Sequence, residues 1–191
     1  LGDSSKKIHC NEPSDPQPEK RAEYSRAKVL ADEALLDLHR KENLPLVIMR
    51  PGIVVGKGGM INHTGIGFFN NTQHFIGWNN GKNNLPFVLV EDTAEAIVSA
   101  LTAENVVGKS LNIVGEVEIG AAEYIKELRE RSKRPYQYHG QATRWLHMQE
   151  LGKWTIKKLA GNKAPAPSIR DLNSRAMLSP FDISEEKALL N

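Results

Sequence analysis

The sequence predicts an α/β fold, in which a parallel β-sheet is covered by helices. Leu46 to Met49 and Pro86 to Val90 are short apolar runs with β-branched members, the pattern of strands buried on both faces, and Ser110 to Val114 reads as a third strand. Amphipathic segments with helical spacing separate these runs, and strand–helix alternation of that kind is the mark of a parallel sheet.

Each element follows from local chemistry. Residues 1 to 18 are polar and proline-rich, and they form a loop leading into the first helix. In that helix Ala27, Leu30, Ala31, Ala34, Leu35 and Leu38 recur at intervals of three and four, which predicts a buried stripe. Asn43-Leu44-Pro45 closes it, and Pro51-Gly52 ends the strand that comes next. From Gly58 to Lys82 the chain is rich in glycine and asparagine but carries Phe68, Phe69, Phe75 and Trp78, too apolar for a plain surface loop, so it is expected to line a site. Asp92 or Thr93 is placed to cap the helix after the second strand. Ile119 to Ser132 is amphipathic, Tyr136-Gln137-Tyr138 is extended, and Gln141 to Ala160 is a further helix stopped by Pro165 and Pro167. One last short helix starts at a capping Ser184.

Composition narrows the function classes. The 191 residues, 40% hydrophobic and 25% charged, have an ordinary globular balance, and a net charge of +2 gives no footprint for nucleic acid. A single cysteine, Cys10, excludes an internal disulfide and fits a reducing, cytoplasmic compartment. No stretch approaches the length of a transmembrane helix, so stable membrane insertion is not expected.

Tyr24 and Lys28 in Y-S-R-A-K carry the most chemistry. Four residues are about one helical turn, so both side chains project from one face and can meet over one small molecule. A phenol with a pKa of about 10 is a poor base near neutrality, and a neighbouring ammonium favours the phenolate. The pair therefore suits proton transfer, although the same spacing also occurs as an aromatic beside a solvated lysine.

Other candidates divide in the same way. His9, His39, His63, His74, His139 and His147 show no paired ligand spacing, and no metal site is expected. Around Gln141 to Lys163, the residues Arg144, Lys153, Lys157, Lys158 and Lys163 flank Trp145 and Trp154, which fits either a membrane-surface helix or a domain helix with core tryptophans and solvated lysines.

The blocks from Pro16 to Asp32, with Tyr24 and Lys28, from Met49 to Gly59 (M-R-P-G-I-V-V-G-K-G-G), from Leu85 to Ile97 and from Ser179 to Ser184 occur in an order that resembles the extended short-chain dehydrogenase/reductases. The likeness is to their NAD-dependent epimerase/dehydratase group. It implies the C-terminal part of a Rossmann-like doubly wound parallel sheet over 1–57 and 85–115, with a small, mainly helical substrate-binding region over 58–84 and 116–191. The family's glycine-rich phosphate turn is absent, since Gly56-Lys57-Gly58-Gly59 lacks the G-x-G-x-x-G spacing. The chain is thus expected to be the C-terminal half or more of a longer enzyme. Its sheet would then have an unpaired edge that favours a homo-oligomer.

By this resemblance the function is that of an NAD(P)-dependent epimerase, dehydratase or reductase acting on a nucleotide-linked sugar. Tyr24 would be the general acid/base, and Lys28 would lower its pKa and bind the nicotinamide ribose. The backbone at Pro51, Gly52 and Ile53 would approach the cofactor, NAD or NADP. Lys57, Asn62, His63, Lys82 and Arg144 are the candidate contacts to a nucleotide-sugar-like small molecule. The third catalytic hydroxyl would fall near Leu1, and Ser4 and Ser5 are not assigned to it. The helix with two tryptophans would belong to the substrate domain. A noncatalytic binding or regulatory protein of the same fold, or an inactive fragment, is the alternative, and the joint presence of Tyr24 and Lys28 favours the enzyme.

Overall fold

A computed structural model of the chain describes residues 6–12, 17–70 and 73–190, so that Ser4 and Ser5 lie outside the described residues. Its helices are α1 (Glu23–Glu42), α2 (Val90–Ala100), α3 (Ala121–Ser132), α4 (Thr143–Leu159), α5 (Ile169–Arg175) and α6 (Ser184–Leu190). The strands are β1 (Ile48–Pro51), β2 (Ile53–Val55), β3 (Phe68–Phe69), β4 (His74–Gly77), β5 (Phe87–Leu89), β6 (Ser110–Ile113) and β7 (Gln137–Gly140).

Strands β1 and β6 pair in parallel, with Ile48 opposite Ser110, and β2 pairs in parallel with β5, with Ile53 opposite Phe87. Pro51-Gly52 ends β1 as expected, but a further strand, β2, follows at once. The chain crosses Gly52 and exchanges partners: Gly52 N–H donates to Ile113 O at 2.9 Å, and Ile53 N–H donates to Pro86 O at 2.7 Å. Gly115 N–H donates to Phe87 O at 2.7 Å and joins the two pairs. The outer edge of β6 is covered by side chains, since Asn11 Oδ1 accepts Ser110 N–H and Glu186 Oε1 accepts Asn112 N–H. Along its other edge β1 has no partner strand among the described residues.

The segment after β2 folds into structure of its own. β3 and β4 are antiparallel, and β4 runs parallel to β7. Ile66, Phe75 and Leu85 pack with Ala121, Ile125 and Tyr136 in one core. Trp78 packs with Leu146, Leu172 and Ala176 in another. Cys10, Val88, Leu111 and Ile113 form the core under the parallel strands. Burial of Cys10, then a hydrogen bond to Glu185, pushes its thiol pKa up to about 12.

Four expectations are corrected. The apolar stripe of α1 is open: Leu30, Leu35 and Leu38 are 39–50% exposed, and α1 has no buried residue. The face it turns inward is the half-buried row Ser25, Val29, Asp32, Leu36 and His39, at the same three-and-four spacing. Charge and close approach select that row. Arg50 on β1 reaches Asp32 Oδ2 with Nη2 at 3.0 Å and Nε at 3.3 Å. The ring of His39 comes so near Gly108, at φ +83°, that a Cβ there would lie 2.8 Å from Nε2.

The second correction is at α2, where neither Asp92 nor Thr93 caps the helix, because it already begins at Val90. Thr93 instead donates its hydroxyl back to Leu89 O at 3.0 Å. At α6 the acceptor is Asp182, which takes both the N–H and the hydroxyl of Ser184, and these bonds hold its pKa below the usual range. Finally, Trp145 is 54% exposed and is no core residue. Helix α5 was not foreseen, although S-I-R-D at 168–171 fits a capping box, and Ser168 Oγ does accept the N–H of Asp171.

The Arg50–Asp32 pair ties α1 to the sheet, with both side chains about three-quarters buried at 27% and 26% exposure. Arg50 Nη1 also donates to Glu12 O at 3.2 Å. Asp32→Ala leaves a mostly buried guanidinium short of its counter-charge, with an expected cost of about 1–2 kcal/mol after allowance for residual solvent. Urea unfolding of the variant checks this, and an unchanged midpoint would contradict it.

Candidate active site

Tyr24 and Lys28 lie in the first two turns of α1, a helix with good formers at Glu23, Ala27 and Leu30 and an αL cap at Asn43, φ 56°. Lys28 Nζ stands 5.8 Å from the centroid of the Tyr24 ring, so the two polar ends share one face as the spacing required. Both side chains are open to solvent, Tyr24 at 76% exposure.

What fixes the start of this helix comes from far along the chain. The carboxylate of Asp171 on α5, itself buried, accepts the N–H of Ala22 with Oδ2 and holds Arg21 Nε with Oδ1 at 2.9 Å. Negative charge at a helix N-terminus is favourable, and the orphan N–H groups there need acceptors. Ser168 Oγ donates to Lys20 O at 2.8 Å and fastens the same turn. Sequence reasoning missed Asp171; the capping box that announces α5 was the available signal.

The cleft that Tyr24 lines is open, about 880 Å³, and bounded by residues 19–24, Arg26, His147 and 165–170. Lys20, Arg21, Arg26 and Arg170 outnumber Glu19 and Glu23 along it, which suits an anionic ligand. Of the five residues proposed for substrate, none borders this cleft. Lys57 is exposed in the turn after β2, Asn62 and His63 precede Gly65, Lys82 follows the 3-10 turn Asn79–Gly81, and Arg144 is exposed in the first turn of α4. His63 Nδ1 accepts Gly65 N–H at 3.0 Å, and burial, then the charge of Arg175, holds its pKa below the ordinary value.

A second, apolar cleft of about 490 Å³ opens where the parallel strands end, among Val55, Phe87, Leu89, Val117, Ile119 and Tyr124. Tyr124 donates its hydroxyl to Ile61 O at 3.3 Å, and burial raises its pKa. Pro51 is exposed, while Gly52 and Ile53 are half-buried. The missing side chain of Gly52 makes room for protein: a Cβ there would lie 2.1 Å from Pro86 O. No cluster of three or more metal-ligating side chains exists among the described residues.

Comparison with known proteins gives the fold and the family. No curated protein sequence matches the chain. Among solved structures, gox2253 aligns with a TM-score of 0.73 at 19% identity, covering 100% of this chain and 56% of that one. UDP-glucuronic acid 4-epimerase from Bacillus cereus, in complex with UDP-glucuronic acid and NAD, aligns at 0.58 and 18% identity, covering 87% and 46%. A nucleoside-diphosphate-sugar epimerase from Pseudomonas aeruginosa aligns at 0.60 and 17% identity, covering 92% and 51%. The chain thus spans about half the length of these proteins, and it shares their Rossmann-like fold. The NAD dependent epimerase/dehydratase family matches residues 2–114, and the chain belongs to that family.

Proposed function

We propose that the whole protein is an NAD(P)-dependent epimerase, dehydratase or reductase of a nucleotide-linked sugar. The observation that carries this reading is the Tyr24–Lys28 pair, held on one face of α1 beside a basic cleft. Family membership supports it, as do solved relatives crystallised with NAD and a UDP-sugar.

The donor set fits one end of a dinucleotide. A phenol and an ammonium on one face suit the nicotinamide ribose, and Pro51, Gly52 and Ile53 are the proposed backbone beside the ring. No G-x-G-x-x-G turn for the pyrophosphate occurs in this sequence. A bound nicotinamide would supply the hydride acceptor or donor. Tyr24 Oη takes the proton of the substrate hydroxyl and returns it, with the Lys28 ammonium beside it on the same face. Lys57, Asn62, His63, Lys82 and Arg144 stay proposed contacts for the sugar nucleotide, and Lys20, Arg26 and Arg170 of the Tyr24 cleft join them as candidates for its diphosphate. The parallel-strand region and the β3–α3–β7 region are proposed as the cofactor and substrate parts. The open stripe of α1 and the free edge of β1 support a homo-oligomer, for which a monomeric sedimentation coefficient would be the contrary result.

The test is product analysis. Whole protein, NAD or NADP and UDP-glucuronic acid or UDP-hexoses are incubated together, and the sugar is followed by proton NMR. A new epimer, a dehydrated or a reduced sugar supports the reading; unchanged sugars throughout, with folded protein, would overturn it.

A further inference from the structure

Helix α4 presents a second feature that, Arg144 apart, the proposed chemistry does not use. Trp145, Met148, Ile156 and Leu159 are 54–86% exposed. With Gly152 they fall at intervals of three and four, so they form one straight apolar stripe about 21 Å long at about 1.5 Å rise per residue. The helix is anchored from its opposite side, where Leu146 packs on Leu172 and Ala176. Beyond that anchor the chain stands clear, and every residue from 155 to 166 is exposed.

The charges flank the stripe. At about 100° per residue, Lys153 and Lys157 lie on one side of it, and Arg144 and Lys158 on the other. Between residues 141 and 166 there are five basic residues and one acidic one, in a chain whose net charge is only +2. That one acid, Glu150, pairs with Lys153 at 2.9 Å, and Lys158 Nζ sits 4.6 Å from the Trp154 ring. Arg144, Lys157 and Lys163 are in no ion pair among the described residues.

We infer that α4 is a docking surface for an anionic lipid bilayer, lying in the interface with the stripe among the acyl chains and the lysines among the headgroups. Apolar residues with tryptophan at one end and basic residues on both flanks are what such a helix needs. A second copy of this chain is a poor occupant of the same surface, because pairing two such helices sets basic flank against basic flank with one glutamate each to offset them. The stripe of α1 differs on this point, since Glu33, Asp37, Arg40 and Lys41 give it mixed signs. No helix among the described residues is long and apolar enough to cross a membrane, and the attachment is peripheral.

Vesicle co-sedimentation and tryptophan emission test the inference on the full chain. Vesicles of phosphatidylcholine with one part in roughly three phosphatidylglycerol should bind at least tenfold more tightly than phosphatidylcholine alone, with a blue shift in emission and weakening at high salt, as surface charge attraction is screened. The double substitution Ile156→Glu/Leu159→Glu should abolish both signals, and Lys153→Glu/Lys157→Glu should cost about tenfold or more. These side chains are exposed, so the far-UV circular dichroism should not change; if the first pair misfolds, Trp145→Ala replaces it. Absence of binding to anionic vesicles, equal binding to neutral ones, or undiminished binding by the variants overturns the inference. So does a change in the sedimentation of lipid-free protein on Ile156→Glu/Leu159→Glu, which would assign the stripe to a second copy.

Discussion

Tyr24→Phe is expected to lower sugar turnover about a hundredfold or more in the whole protein, with dinucleotide affinity nearly unchanged, because it deletes the hydroxyl proposed to move the proton. The fold gives this substitution little to disturb. Tyr24 is 76% exposed, its neighbour Lys28 lies over the ring and not under it in a core, and the helix start is held by Asp171 and Ser168. Stability should stay within about 0.5 kcal/mol, so a lost rate cannot be blamed on unfolding. Lys28→Ala should act differently, lowering turnover and cofactor affinity together, since the ammonium is proposed to serve both Tyr24 and the ribose. The measurement is kcat, KM and NAD binding for both variants beside their thermal melts. Wild-type turnover in Tyr24→Phe would remove Tyr24 from the mechanism.

Gly52→Ala should damage the fold severely, at a cost of about 3 kcal/mol or more. The added methyl would lie 2.1 Å from Pro86 O and 2.9 Å from Val114 Cγ1. A flexible side chain could yield, but Pro86 O is backbone and accepts Ile53 N–H at 2.7 Å, the bond through which β2 meets β5. Relief of the clash therefore loosens β2 from β5 at the point where the chain exchanges partners. A melting temperature lowered by roughly 6–12 °C is expected for a domain of this size, and it should fall equally with and without dinucleotide if Gly52 serves the sheet. An unchanged melting temperature would show that the strands can part there without cost.

The positions of β1, β5 and β6 were legible to within two residues because apolar runs with β-branched members have few other uses in a folded domain, and parallel pairing followed from alternation with helices, whereas β2, β3 and β4 were not read as strands. Tyr24 and Lys28 were legible as a pair for a similar local reason: helical spacing alone places i and i+4 on one face. The side of a helix that faces the protein is another matter. In α1 two rows with the same period compete, and the apolar one lost to Ser25, Val29, Asp32, Leu36 and His39 because Arg50 waits on β1 for Asp32. In α4 the tryptophans announced an apolar face but not its exposure, which depends on what α5 covers.

Periodicity and turn chemistry act within a few residues, and they suffice for most of the helices, the α/β class and the shared face of Tyr24 and Lys28 in the sequence of this chain. Asp171 at the start of α1 and Pro86 O against Gly52 are partnerships across 149 and 34 residues, and the stripe of α4 is exposed among the described residues. Such contacts depend on how loops close and surfaces meet, so only the tertiary structure decided where the first helix is pinned, where the sheet changes partners, and which apolar face is left open to a further surface.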